Sequence, residues 1–395
     1  MRNFWGFLIL LFLIAAVLRV DFFFYVVYIF GMLAILTQWW TRHAVRSIRA
    51  ERVYQNRAFY GEQVPVRLTV RNTSPLPIPY VRLHESLPIA LISPPFARRV
   101  VSLWPRETTT LDYTLDCRRR GVYRLGPLTA NAGDVFGFGE QEANEAPASA
   151  ITIYPKIVPL GRLGLPTRSP FVSLRHRQRL FEDPARVRGV RPYQVGDSPR
   201  HIHWTASAST GDLLVKQYEP AIALETMVLL NLDEIAYDPR WNYFASETGV
   251  TVAASILYHL QSLGQAGGLA VNGHDSLTQA TPAALPPSHG QAHLMHALDV
   301  LARVETSPAM PFADWVRSVT GSLGWGTTVA LVTPIEPPDL APLLLHLKRA
   351  GFSPTLILTH GPDSGTAAQL GVPSTIITYE TEVPELARLD GARAS

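Results

Sequence analysis

Arginines, aromatics and a Gly-Asp turn crowd residues 183–219, and the side chains there with chemical potential are Arg191, Tyr193, Gly196, Asp197, Arg200, His203 and Trp204. Asp197 follows Gly196 in a turn, and its carboxylate can accept paired hydrogen bonds from Arg191 or Arg200. Tyr193 and Trp204 can then cover a guanidinium through cation–π contact. That reading makes Asp197 and Trp204 part of a self-satisfied, partly buried cluster that holds the loop. The arginines serve equally well turned outward, where two guanidiniums would take a phosphate or a carboxylate.

Neighbouring residues offer further chemistry. His201 and His203 are two apart and share one side of a strand, but no third metal ligand lies near them, so they are expected to serve as ordinary hydrogen-bonding groups. Ser207 and Ser209 lie outside any Gly-x-Ser-x-Gly elbow, and no base pairs with them from sequence. No Gly-x-x-x-x-Gly-Lys-Ser/Thr occurs, which excludes nucleotide hydrolysis by a P-loop.

The elements that must position these residues follow from periodicity. From Leu224 onward, buried apolar runs alternate with helical segments. Strands are predicted at 226–232, 268–271, 327–333, 355–359 and 374–378, and helices at 246–263, 289–304, 337–350 and 364–370, with Ser246 capping the first helix. This is the pattern of an open parallel sheet with right-handed crossovers. Ligands of such sheets bind beyond the carboxyl ends of the strands, which is where Asp233 falls.

Between 47 and 155 the texture is different. Val64–Arg71, Tyr80–His84 and Thr110–Asp116 alternate apolar and polar residues, and Asn, Ser and Pro break the runs, as in an all-β immunoglobulin-like sandwich. Residues 156–182 form a basic linker, where Arg162, Arg168, Arg175, Arg177 and Arg179 suit an anionic membrane surface or an acidic partner.

Residues 1–42 read as a transmembrane hairpin with spans at about 4–20 and 22–40, bounded by Trp5, Trp39 and Trp40. Arg42, His43, Arg46, Arg49, Arg52 and Arg57 then face a single acid, Glu51, which predicts that the remainder is cytoplasmic. A formal net charge of +3 over 395 residues gives no footprint for nucleic acid. One cysteine, Cys117, excludes an internal disulfide.

The signature at 191–208 resembles that of the bacterial family called "domain of unknown function 58". Arg119–Pro127 is similar to the family's Arg-Gly-x-Tyr-x-Leu-Gly-Pro strand. Asp134–Phe138 is similar to its Asp-Pro-Phe-Gly-Leu segment, with Val135 in place of the proline. The resemblance implies a von Willebrand factor A-like α/β domain over 183–382, followed by a tail at 383–395. It also implies association with MoxR-type AAA+ ATPases and other membrane proteins. The A-domain metal motif Asp-x-Ser-x-Ser becomes Asp233-Glu-Ile-Ala-Tyr237, which lacks both hydroxyls, so the expectation is a degenerate site with no metal and no other cofactor. Taken together, these readings predict a multi-domain, membrane-anchored interaction protein of the inner membrane and no catalytic residues. The alternative is an enzyme of unassigned class that receives an anionic substrate at the arginine-rich signature. Neither reading fixes an oligomeric state.

Overall fold

The computed structural model describes residues 2–18, 21–91, 98–133, 140–160, 182–194, 199, 202–220 and 225–377. The chain divides into two compact units, Met1–Lys156 and Ile157–Ser395.

The first unit opens with helices α1 (Arg2–Leu18) and α2 (Asp21–Ser47), which meet edge-on through Phe12 and Phe24 with ring centroids 5.9 Å apart. Among the described residues, only α2, over Phe22–Ser47, is long and apolar enough to cross a membrane. Its 27 residues span about 40 Å, whereas the 17 of α1 span about 26 Å against a hydrocarbon core of about 30 Å. The second apolar run does not stop at Trp40. It continues as helix through the basic segment to Ser47, and the next residue begins a strand.

Ten strands follow: β1 (Ile48–Val53), β2 (Arg57–Phe59), β3 (Gln63–Asn72), β4 (Ile78–Glu85), β5 (Arg98–Leu103), β6 (Thr108–Asp116), β7 (Gly121–Leu125), β8 (Leu128–Gly133), β9 (Glu140–Ala146) and β10 (Ser149–Tyr154). They pair in the orders β1-β3-β6, β2-β10-β7 and β5-β4-β8-β9, and only β2 and β10 run parallel. Strand β3 shows how the sequence organises the layers. Its alternation puts Val64, Val66, Leu68 and Val70 on one face, all buried. Val64 and Val66 pack with Ile151 and Ile153 of β10, while Leu68 and Val70 pack with Val81 and Leu83 of β4. The β1-β3-β6 sheet is thus covered by the other two together. Ala44 and Val45 of α2 join the second cluster, so the end of the apolar helix is part of the sandwich core.

One side chain counted among the juxtamembrane basics is not at a membrane surface. Arg52 is buried inside the sandwich, where its Nη2 lies 2.5 Å from Glu85 Oε1, with side-chain exposures of 3% and 0%. Its Nη1 donates to Ser149 Oγ at 3.0 Å and to the carbonyls of Pro147 and Leu125. Gly126, at φ +85°, leaves room for it, since a Cβ there would stand 2.7 Å from Arg52 Nη2. Burial pushes the nearby Tyr113 hydroxyl well above its ordinary range. The Glu85 charge acts in the same direction, against a smaller opposing effect of Arg52.

The second unit begins with an arm of β11 (Glu182–Pro192), α3 (Trp204–Thr210) and β12 (Leu214–Pro220), in which β11 and β12 pair antiparallel. Then come β13 (Glu225–Leu230), α4 (Asn242–Ser262), β14 (Ala266–Val271), β15 (His274–Asp275), β16 (Leu285–Ser288), α5 (Gln291–Arg303), β17 (Val304–Glu305), α6 (Phe312–Thr320), β18 (Thr328–Thr333), α7 (Leu340–Arg349), β19 (Ser353–Leu358), α8 (Thr366–Gln369) and β20 (Ser374–Ile376). The main sheet has the order β16-β14-β13-β18-β19-β20. Its strands are parallel except β16, which corrects the all-parallel expectation. Pro286 and Pro287 explain the position of β16, since a residue without an N–H is confined to an edge. Every residue of β14, β18 and β19 is buried, as a sheet covered on both faces requires.

The predicted cap at Ser246 is also corrected. Helix α4 starts a turn earlier, after Trp241, and Ser246 is buried inside it with its Oγ donating to the Tyr243 carbonyl. The first residues of the predicted linker pack on this helix, where the Val158 N–H donates to Ser255 Oγ at 2.9 Å. The arginine-bearing remainder, 161–181, lies outside the described residues.

Candidate functional site

The arm carries the residues singled out by type. Arg191 is the penultimate residue of β11, opposite Val215, and its Nη1 donates to the Pro192 carbonyl at 3.2 Å. The Tyr193 N–H extends the pairing to the Leu213 carbonyl at 2.8 Å. His203 has a specific local duty. Its N–H donates to the Leu214 carbonyl, and its Nδ1 accepts from the Ala206 N–H at 3.1 Å, which caps α3. Ser207 is buried and ties the helix to β12, donating to the His203 carbonyl and accepting from the Leu214 N–H at 2.9 Å. These hydrogen bonds account for His203 and Ser207 as fasteners of the arm.

Trp204 is a correction. It stands on the first turn of α3 with 67% of its surface exposed, so it is not in a buried cluster. Gly196, Asp197, Arg200 and His201 lie outside the described residues, as do Asp134–Phe138.

The crevice at the carboxyl ends of β13 and β18, where the strand order reverses, is fully described. Its floor is Asn231, the residue directly after β13. Asn231 Nδ2 donates to Thr333 Oγ1 at 3.1 Å, and its Oδ1 accepts from Asn272 Nδ2 at 2.9 Å and from the Asp233 N–H at 3.1 Å. Asn272 Oδ1 in turn accepts from the Leu232 N–H, and Tyr237 donates its hydroxyl to the Asn231 carbonyl at 2.6 Å. All these residues are buried. Two amides and two hydroxyls, together with backbone groups of the adjoining turns, thereby form a hydrogen-bonded floor without any net charge.

Asp233 sits above this floor with 8% exposure, and its Oδ1 accepts from the N–H groups of Ile235 and Ala309 at 3.4 and 3.3 Å. The carboxylate therefore caps the turn after β13 and holds the Ser307–Ala309 loop. The two positions that would supply hydroxyl ligands diverge. Ile235 points outward with 84% exposure, and Tyr237 is spent inward. Among the described residues no three histidine, cysteine or acidic side chains gather to hold a metal ion. This donor set, one carboxylate over neutral amides, does not fit the oxygen cage that magnesium requires.

The floor residues were readable but unremarked: the strands end in Leu-Leu-Asn231, Ala-Val-Asn272 and Leu-Val-Thr333, each a polar residue closing an apolar run. Around them the rim is apolar. Ile235, Trp241, Met310 and Ile335 are 84%, 51%, 54% and 42% exposed, all on loops at this edge, and Trp241 lies against His360 with ring centroids 6.2 Å apart.

With the arm and the crevice defined, the chain can be set beside known proteins. Residues 189–319 match the family described as Protein of unknown function DUF58. That span runs from within β11 to α6 and takes in the arm apart from the first residues of β11, together with Asn231, Asp233 and Asn272. The chain is also 25% identical over 292 residues, 71% of its own length and 68% of the relative's, to the uncharacterized protein YeaD of Bacillus subtilis (strain 168). Among solved structures it is similar to the CARDB domain of the PF1109 protein from Pyrococcus furiosus, at 17% identity over 27% of this chain and 86% of that one, with a TM-score of 0.22. A second likeness is to alpha-2-macroglobulin from Escherichia coli, from domain MG7 to the C-terminus, at 17% identity over 29% of this chain and 18% of that one, with a TM-score of 0.25. Scores of this size decide nothing, and the fold rests on the strand pairings above.

Proposed function

We propose that the protein is a membrane-anchored interaction protein whose two modules, an immunoglobulin-like sandwich and a von Willebrand A-like domain, stand on the cytoplasmic side and engage other polypeptides. On the family resemblance, a MoxR-type AAA+ ATPase is the partner, and its work with this protein is the assembly or maturation of other proteins. In this reading α1 and α2 form the membrane hairpin, with α1 completed by flanking residues or a locally thinned bilayer. The doubly wound order, with a single antiparallel strand at the edge, supports the A-like assignment.

The observation that carries the proposal is the crevice of the second unit. Asn231, Asn272, Thr333 and Tyr237 are engaged in hydrogen bonds beneath it, the Asp233 carboxylate holds the turn after β13, and the surrounding loops expose Ile235, Trp241, Met310 and Ile335. Large apolar side chains around a closed polar floor suit a protein partner better than a small anionic substrate. The test is co-purification of the full-length, detergent-solubilised protein with a MoxR-type AAA+ ATPase from its native cells under nucleotide-bound conditions. The ATPase is expected with the native protein and lost from the Ile235→Arg, Met310→Arg double variant. Repeated failure to recover it, or equal recovery with the variant, overturns the proposal.

A further inference from the structure

The end of the sandwich at which α2 enters is fixed by hydrogen bonds to the helix. Strand β1 follows Ser47 without an intervening residue. The N–H and Oγ1 of Thr73 both donate to the Ser47 carbonyl at 2.8 Å, and two turns back along the helix Trp40 Nε1 donates to the Pro77 carbonyl at 3.2 Å. The loop from Thr73 to Pro77 therefore climbs the last part of α2 towards its apolar segment. A second turn is fastened to that loop: the Arg106 N–H donates to the Ser74 carbonyl at 3.1 Å, and Asn72 Nδ2 to the Trp104 carbonyl at 3.1 Å.

That turn, Trp104-Pro105-Arg106-Glu107, is tightly built. The Glu107 N–H closes it on the Trp104 carbonyl at 3.1 Å, and Glu107 Oε2 accepts from the Trp104 N–H at 2.6 Å. Arg106 sits at φ +60°, a left-handed position where glycine or asparagine would be relaxed. Trp104 beside it is 69% exposed, and Val100 on the same outward side of β5 is 58% exposed. Exposed Arg42 and Arg46 occupy the end of the helix.

We infer that this turn is a second membrane contact, with Trp104 lying at the headgroup level of the bilayer that α2 enters and Arg106 paired with lipid phosphates. Indole rings favour that interfacial depth, and cations near an anionic leaflet are attracted to it. Because α2 is bonded to the sandwich at both Ser47 and Trp40, the contact fixes the tilt of the sandwich against the membrane. The inference rests on reading α2 as the membrane span.

The test places nitroxide labels on the full-length protein in nanodiscs of phosphatidylglycerol, using Trp104→Cys, Ile89→Cys and Met32→Cys. The native Cys117 is buried and stays unlabelled. Ile89 is 82% exposed and follows β4 at the opposite end of the sandwich, whereas Met32 is 72% exposed on α2. Collision with a water-soluble nickel reagent is expected to be full at position 89 and lost at 32. It should be strongly reduced at 104 and recover there when Arg106→Glu is added. Access at 104 equal to that at 89, with 32 protected, overturns the contact while leaving the span intact. Water access at 32 overturns the span and the contact together.

Discussion

Removing Glu85 should strand a buried cation, and the cost can be worked from the structure. The Arg52 and Glu85 side chains are 3% and 0% exposed, and they join β1 to β4 across the sandwich. With charge centres about 4 Å apart and an effective dielectric of about 20, the attraction is about 4 kcal/mol, close to the roughly 3–5 kcal/mol seen when one partner of a buried pair is removed. In Glu85→Leu the guanidinium keeps neutral acceptors, among them Ser149 Oγ and two carbonyls. Cys117 supplies a local assay. It is the chain's one cysteine, it is buried in the same unit, and burial, helped by the charges of Glu62 and Asp116, pushes its thiol up to about 11. It therefore reacts with a thiol reagent only when the sandwich opens. A loss of about 3–5 kcal/mol should speed labelling of the full chain in detergent by roughly 10² to 4 × 10³-fold. The double variant Arg52→Met, Glu85→Leu removes both charges and should return to within about 1 kcal/mol of the native protein. An increase of less than about tenfold in Glu85→Leu, or a double variant as labile as the single, would refute the claim that a desolvated charge pair locks the two sheets.

Further outcomes follow from other sites. Folding raises the pKa of Cys117 above its unfolded value, so the sandwich should lose stability as pH rises from about 9 to about 11, by at most about 2–3 kcal/mol. Hydrogen exchange in that window should show the loss in the native protein and a smaller one in Cys117→Ala. Asn231→Ala leaves Asn272 and Thr333 buried without their shared partner and should destabilise the second unit by about 2–4 kcal/mol, read as faster exchange of β13, β14 and β18. His203→Ala removes the cap of α3 and should cost about 1 kcal/mol locally, with Asn at that position restoring most of it in the same measurement. Arg106→Gly relieves about 1–2 kcal/mol of left-handed strain and costs about 0.5–1 kcal/mol through added entropy of the unfolded chain, so thermal unfolding should show the sandwich unchanged or up to about 1.5 kcal/mol more stable.

By itself the sequence determined what depends on near neighbours. Alternation at Val64, Val66, Leu68 and Val70 declares a half-buried strand, and the runs ending at Asn231, Asn272 and Thr333 declare strands buried on both faces, because side-chain direction repeats every two residues wherever the strand goes. The apolar length of α2 declares a helix able to cross a bilayer. Only the tertiary structure decided the fate of particular polar groups. Arg52 stands among basic residues and reads as one more surface charge until β4 brings Glu85 to it. Asn231 is an ordinary strand end until Asn272 and Thr333 arrive from other strands, and Trp204 reads as part of a partly buried cluster, whereas 67% of its surface is exposed on α3. Partners for a buried polar group come from segments tens of residues away, and no local period encodes which segment that will be.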